Sequence, residues 1–173
     1  MIMRFVIVGA GIAGTTAAEE LRKRSKDADI ILIGEEDVPL YTRVLLPNYI
    51  EGKVERERLF LKKEMWYAEN RIEWVSGTRV EKLDVKNKFV LLSDQRELPY
   101  DKLLIASGGE PKKMDAEPRG ISYLRSLTDA DHLVQLMREK GSHADVAIYG
   151  GGFIACEFLN IFTQVSLLFL HQS

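Results

Sequence analysis

The sequence of 173 residues holds a single cysteine, Cys156. One cysteine excludes an internal disulfide framework and a cysteine-rich metal site. It sets the expectation of a reducing compartment, the cytoplasm. An excess of charge of one sign is also missing. The formal net charge of -2 gives no basis for nucleic acid or an anionic membrane as a partner. Long hydrophobic runs are missing as well: the longest are about 10 residues, against the roughly 20 that a membrane-crossing helix needs. Met1–Arg4 and Phe5–Val8 imitate the opening of an export signal. That run stops in Gly9-Ala10-Gly11 and a charged helix follows, so the export reading fails. His132, His143 and His171 have no metal-ligand spacing and read as surface or structural residues. No metal site is expected.

Hydrophobic residues, by contrast, make up 46% of the chain, enough for a buried core in one large domain or parts of two. Phe5–Val8 is a continuous apolar run of the kind a strand buried on both faces requires. The spacing predicts a helix from Ile12 to about Arg24, with Ala17, Ala18 and Leu21 inward, and a second buried strand at Ile30–Ile33. Together these form a βαβ unit. Gly34 to Lys53 reads as irregular, and Arg56–Asn70 as a helix with Leu59, Phe60, Met65 and Trp66 as its apolar members. Ile72–Val75, Thr78–Val85, Lys88–Leu92 and Glu97–Leu98 read as the short strands of an antiparallel meander. Leu103–Ala106 is expected as another buried strand, and Glu110–Gly120 as a linker. Thr128 is a candidate N-cap for a helix Asp129–Lys140, with Asp131 in the capping-box position and Gly141 as the stop. Val146–Tyr149 then repeats the opening strand and glycines follow again, so the chain carries an imperfect internal repeat.

The two glycine turns carry the chemistry. Gly9-Ala10-Gly11-Ile12-Ala13-Gly14 is a G-x-G-x-x-G between a strand and a helix. In such a turn the first glycine permits the bend, the second lets a pyrophosphate approach the backbone, and the third brings helix and strand together. The helix amides then face the phosphates. An acid about 20 residues further on completes the pattern. Here it is Glu35, with Glu36 beside it, and its carboxylate suits ribose hydroxyls. The reading is dinucleotide binding, with a merely structural turn as the alternative. Gly150-Gly151-Gly152-Phe153-Ile154-Ala155 is a G-x-G-x-x-A in the same context, without its acid. Arg43, in a proline-containing segment after the first acid, reads as a phosphate ligand because its guanidinium fork matches phosphate; a surface charge is the alternative. Cys156 reads as a buried core thiol rather than a redox centre, and Trp66 and Trp74 as core.

Four stretches taken together resemble the FAD-dependent pyridine nucleotide–disulfide oxidoreductase superfamily, in the branch of rubredoxin and ferredoxin reductases and nitrite reductase flavin domains. They are Val6–Gly14, Gly34-Glu35-Glu36 with Tyr41–Leu46, Tyr100–Gly108, and Gly150–Glu157. The resemblance implies an α/β fold: a Rossmann-like FAD-binding domain with an antiparallel meander, then an incomplete second Rossmann unit for NAD(P). The expected division is 1–112 and 113–173. By resemblance, Gly9, Gly11, Ala13 and Gly14 would hold the FAD pyrophosphate, Glu35 the adenosine ribose, and Arg43 the phosphates. Val80 would meet the adenine through its backbone. Ala106, Ser107 and Gly108 match the Ala-Thr-Gly where the chain leaves the FAD domain. Gly150, Gly152, Phe153 and Ile154 would meet NAD(P)H, and Glu157 would lie near the nicotinamide–flavin contact.

The activity so implied is hydride transfer from NAD(P)H to FAD, with electrons passed to a small redox protein or small molecule. No acid, base or nucleophile of the chain is required for the hydride step, so no catalytic residue is named. The chain departs from the family in having no redox cysteine pair, which excludes dithiol chemistry. It also has Asn48 where the branch often has a lysine that pairs with the later glutamate. The family's later segments are expected to be missing from this chain. The strand Ile30–Ile33 begins 21 residues after Gly9, whereas the comparable run Leu167–Leu170 begins 17 after Gly150. The residues after about Gln164 are therefore expected to be a non-native tail. Two other readings stand beside the reductase: a non-catalytic nucleotide-binding fragment prone to self-association through unfinished sheet edges, and a subunit completed by another chain.

Overall fold

A computed structural model of the chain describes residues 2–115, 120–140, 145–162 and the backbone of 166–170. The expected helix stop Gly141, and His143 and His171, lie outside the described residues. The chain packs as two compact units, Met1–Thr42 with Phe60–Gly109, and Arg43–Leu59 with Glu110–Ser173. The segment Arg43–Leu59 packs with the second unit.

The first unit is built on a parallel sheet. Its elements are β1 (Arg4–Val8), α1 (Ile12–Arg24), β2 (Asp29–Ile33), α3 (Glu64–Glu69), β3 (Glu73–Val75) and β7 (Lys102–Ile105), with the strand order β3-β2-β1-β7. Val6 sits opposite Ile31 and Leu103, all in parallel register. The apolar runs of β1 and β2 divide by alternation. Val6, Ile31 and Ile33 pack on one face with Val75, Val90 and Leu92. Ile7, Ile30 and Leu32 pack on the other with Ala18, Tyr67 and Ile72. The first face is covered by an antiparallel sheet of β4 (Val80–Asp84), β5 (Phe89–Leu92) and β6 (Glu97–Pro99), and the second by α1 and α3. This is the α/β arrangement expected, a parallel sheet with an antiparallel meander, built in three layers.

Several expectations need correction. Ile72–Val75 does not begin the meander: β3 joins the parallel sheet beside β2, with Ile31 opposite Glu73. Arg56–Asn70 is not one helix. It is a 3-10 turn at Arg56–Leu59, an isolated bridge from Phe60 to Tyr41, and the short α3. Within α3 the buried side chain is Tyr67, while Met65 is 68% exposed. Gly34–Lys53 holds a 3-10 turn at Arg43–Leu45 and a short helix, α2 (Leu46–Ile50), with Pro47 in its first turn, where no amide donor is needed. β7 is an edge strand rather than a buried one. Leu103 packs on the meander side, but Ile105 is 62% exposed. No described element covers the helix-side face of β7, and Leu104 there borders an open apolar groove of about 590 Å³ with Phe5, Ile7, Ala17 and Leu21.

In the second unit, α4 (Leu127–Lys140), β8 (Asp145–Tyr149), α5 (Phe153–Ile161) and β9 (Ser166–Leu170) follow in order, and β8 and β9 pair in parallel. The cap of α4 differs from the expected Thr128–Asp131 pair. Ser126 Oγ accepts the Asp129 amide at 3.1 Å, and the Asp129 carboxylate accepts the Ser126 amide at 2.7 Å. That reciprocal pair is a capping box two residues earlier. Asp131 is engaged elsewhere: it accepts the Tyr49 hydroxyl at 2.7 Å and the Arg56 guanidinium at 3.1–3.2 Å. These bonds fasten the Arg43–Leu59 segment to α4.

Candidate functional site

A parallel sheet presents its loops at the carboxyl ends of its strands, and a crevice opens where connections leave a strand in opposite directions. β1 is such a strand, with β2 on one side and β7 on the other. At its carboxyl end Gly9 takes φ +111°, a conformation L side chains rarely adopt. Its amide donates to the Ile33 carbonyl at 2.8 Å. The Ala106 amide donates to the Val8 carbonyl at 2.7 Å, and the Gly34 amide to the Val75 carbonyl at 2.8 Å. These bonds carry the ladder one residue beyond the strands and draw the first glycine turn, Gly34-Glu35 and Ala106-Ser107-Gly108 to one edge.

Gly9 and Gly14 of the turn, and Gly34 beside it, have no space for a side chain. A β-carbon on Gly9 would stand 2.3 Å from the Ala106 carbonyl oxygen, one on Gly14 1.8 Å from the Gly9 carbonyl oxygen, and one on Gly34 2.8 Å from the Ala10 β-carbon. Gly11 caps α1 in extended conformation, with no side-chain cap and no acid in the first turn. The first amides of a 13-residue helix therefore face outward with the positive end of the dipole and no carboxylate on them. Ala13 stands exposed beside them.

Two residues that sequence reading passed over support the turn from below. The buried Thr15 hydroxyl donates to the Ala10 carbonyl at 3.0 Å. Tyr67 accepts the Leu40 amide at 3.0 Å, bonds Thr15, and stacks on Trp74 at 4.5 Å between centroids. Burial pushes the Tyr67 hydroxyl above its ordinary pKa, against the bond that it accepts from the Leu40 amide and its interaction with Thr15. Tyr67 carried no local signal beyond its place near two tryptophans.

The two acids have separate partners. The Tyr41 hydroxyl donates to Glu36 at 2.7 Å. Glu35 lies at the solvent edge, where Arg79 Nη1 donates to its Oε1 at 3.0 Å. Val80 opens β4 next to Arg79 and is half-buried. Gly108 takes φ +73° and Ser107 is exposed. Arg43, half-buried at the start of its 3-10 turn, belongs to the second unit.

The second turn repeats the backbone of the first. Gly150 has φ +120°, and Gly152 caps α5 in extended conformation without a side-chain cap or an acid in the first turn. Ala155, the third motif member, is buried. Phe153 is 80% exposed, Ile154 is exposed, and Glu157 is half-buried. Cys156 is exposed, which corrects its reading as a core thiol. On α5 the buried side chains are Ala155 and Ile161, and Cys156 lies about 100° round the helix from Ala155.

Residues 3–167 match the family described as pyridine nucleotide-disulphide oxidoreductase. This chain belongs to the pyridine nucleotide-disulphide oxidoreductase family. Among its relatives within that family, the nitrite reductase [NAD(P)H] of Bacillus subtilis (strain 168) is 31% identical over 96% of this chain and 21% of its own length. A probable ferredoxin reductase of Castellaniella defragrans is 38% identical over 89% of this chain and 38% of its own. The solved NADH:rubredoxin oxidoreductase from Clostridium acetobutylicum superposes with a TM-score of 0.86 at 27% identity, over 99% of this chain and 45% of that one. The chain thus spans between about a fifth and two fifths of these curated relatives. The family's members are FAD-dependent NAD(P)H oxidoreductases. Among the described residues, no helix is long and apolar enough to cross a membrane.

Proposed function

We propose that this chain is the front part of an FAD-dependent NAD(P)H oxidoreductase that passes hydride from NAD(P)H to FAD and electrons on to an acceptor. The observation that carries the reading is the carboxyl edge of the first sheet. An uncapped helix N-terminus, a glycine cradle closed to side chains and an exposed carboxylate meet there. The residues fit a dinucleotide. The amides after Gly9, Gly11, Ala13 and Gly14 take the pyrophosphate, Glu35 takes the adenosine ribose, and the Val80 backbone takes the adenine. Ala106, Ser107 and Gly108 border the same edge, and Arg43 is assigned to the phosphates. FAD, when bound, supplies the electron-accepting chemistry; the chain binds it and orients it.

Gly150, Gly152, Phe153 and Ile154 are assigned to NAD(P)H and Glu157 to the neighbourhood of the nicotinamide. Residues 1–112 then act as the FAD part and 113–173 as the start of the NAD(P) part. A small redox protein is the acceptor class, because similar proteins are named as reductases of ferredoxin and rubredoxin. The working compartment is the cytoplasm.

The test is a titration of the purified chain with FAD, followed by flavin absorbance, with NADH then added without oxygen. A bound flavin that bleaches supports the reductase. A bound flavin that stays yellow supports a second reading, a nucleotide-binding fragment, which the open surroundings of Gly150 and Gly152 favour. That fragment would self-associate through the β7 edge and its apolar groove. Absence of flavin binding overturns the assignment of the first site in this chain.

A further inference from the structure

We propose that Arg79 is a positioning residue for the adenosine half of the dinucleotide. It holds the Glu35 carboxylate so that the second oxygen meets the ribose hydroxyls. The proposal rests on the reading of the first turn as a dinucleotide site and adds a residue that neither the motif nor the family resemblance singles out.

Arg79 and Glu35 leave the backbone at a corner that is already tied. The Gly34 amide donates to Val75 at 2.8 Å, and the Thr78 amide donates back to the Gly34 carbonyl at 2.9 Å. The Thr78 hydroxyl closes on the Ser76 carbonyl at 3.0 Å, and the Ser76 hydroxyl donates to Asp37 at 2.6 Å. The backbone of Arg79 is held on both sides by Ser93. Its amide donates to Ser93 Oγ at 3.2 Å and its carbonyl accepts the Ser93 amide at 2.8 Å. The roots of both side chains are thus set by hydrogen bonds, and the guanidinium reaches Oε1 of Glu35 at 3.0 Å.

The pair contributes little to folding. The two side chains are 60% and 61% exposed, and exposed ion pairs are screened by water and opposed by side-chain entropy. What the pair does accomplish is to restrain a carboxylate. An ionised carboxylate has about four acceptor positions, and one N–H donor occupies one of them. Oε2 stays available to two ribose hydroxyls, with rotamer freedom already reduced before the ligand arrives. The neighbouring acid is committed to Tyr41, so Glu35 is the carboxylate that this corner presents.

The experiment measures binding of ADP and of 2′-deoxy-ADP to the full chain and to Arg79→Ala, Glu35→Gln and the double variant, by calorimetry. ADP reports on the first turn and the ribose corner without needing the flavin. The unaltered chain is expected to prefer ADP to 2′-deoxy-ADP. In Arg79→Ala, ADP binding should weaken by about three- to tenfold, the range for losing the advance ordering of one flexible side chain. Its preference over the deoxy analogue should shrink, and the melting temperature without ligand should stay unchanged. In the Glu35→Gln background, removing Arg79 should add nothing. If Arg79→Ala keeps the ADP preference while Glu35→Gln loses it, the proposal fails and the FAD assignment stands. Equal weakening for both ligands also overturns it, since that outcome reports only general charge. If the unaltered chain binds neither ADP nor FAD, both the proposal and the first-site reading fall.

Discussion

The two glycine turns of this chain have nearly the same backbone and different surroundings. Gly9 and Gly150 have φ of +111° and +120°. The caps Gly11 and Gly152 have φ, ψ of -72°, -171° and -80°, -178°. A β-carbon on Gly9 would nevertheless collide with the Ala106 carbonyl, while one on Gly150 or Gly152 meets nothing within 4 Å. The difference lies in the sheets. β1 is flanked by β2 and β7, whereas β8 pairs with β9 alone among the described strands. A glycine motif dictates a turn from local stereochemistry, and the flanking strands convert that turn into an enclosed cradle.

Substitutions at matched positions would break or sharpen this contrast. The largest effect is expected at Gly14. Its β-carbon would stand 1.8 Å from the Gly9 carbonyl oxygen, within backbone that has no room to yield. Gly14→Ala should destabilise the first unit by about 3 kcal/mol, as overpacking against fixed atoms does, and remove ADP and FAD binding. The matching position already holds Ala155, and Ala155→Gly should cost only about 1 kcal/mol from helix propensity. Urea unfolding of both variants checks this; a Gly14→Ala protein as stable as the parent would refute the enclosed-cradle account.

Next in size is the pair Gly9→Ala and Gly150→Ala. Both force a side chain into positive φ, at about 1–2 kcal/mol. Only Gly9→Ala adds the collision with Ala106, so its loss should exceed that of Gly150→Ala by at least about 1 kcal/mol. Equal losses in thermal unfolding would mean that the surroundings of the two turns do not differ in energy.

Tyr67→Phe tests the support beneath the first turn. It leaves the buried Leu40 amide without its acceptor, which should cost about 1–2 kcal/mol. It also frees Thr15, so ADP affinity should fall modestly. A Tyr67→Phe chain with normal stability and binding would show that Thr15 holds the turn unaided.

The smallest effect belongs to the second unit. Burial raises the Asp131 pKa, and the bonds from Arg56 and Tyr49 with the Arg56 charge outweigh that, so the carboxyl sits below the usual carboxylate range. A folded-state pKa below the unfolded one contributes stability that is present above the unfolded value, about 3.9. That stability is lost as pH falls through the lower folded value. Both side chains are partly exposed, so screening holds the contribution to about 1 kcal/mol or less. Asp131→Asn should flatten the acid limb of the stability curve for the second unit; an unchanged limb would remove Asp131 from the account.

Much of this was legible in the residues. Continuous apolar runs require burial on both faces, so β1 and β2 could be read directly, and the glycines announced both turns. The wrong readings of β3 and of the α4 cap share one cause: each depended on contacts distant in sequence. Ile72–Val75 carries no mark to separate a parallel edge from a meander. Ser126–Asp129 and Thr128–Asp131 offer two capping patterns two residues apart, and in the fold Arg56 and Tyr49 engage Asp131. Within the site, Glu35 followed from its spacing. Arg79 is one of 24 basic residues and has no local pattern to distinguish it.

The sequence by itself determined the first βαβ unit, the two positive-φ turns and the acid after the second strand, because these follow from local sterics and apolar periodicity. Only the tertiary structure decided which turn is enclosed, that Tyr67 and Thr15 hold it from below, and that Arg79 meets Glu35. Those facts arise where strand ends separated by dozens of residues are brought to one edge by backbone hydrogen bonds, and no local pattern encodes such a meeting.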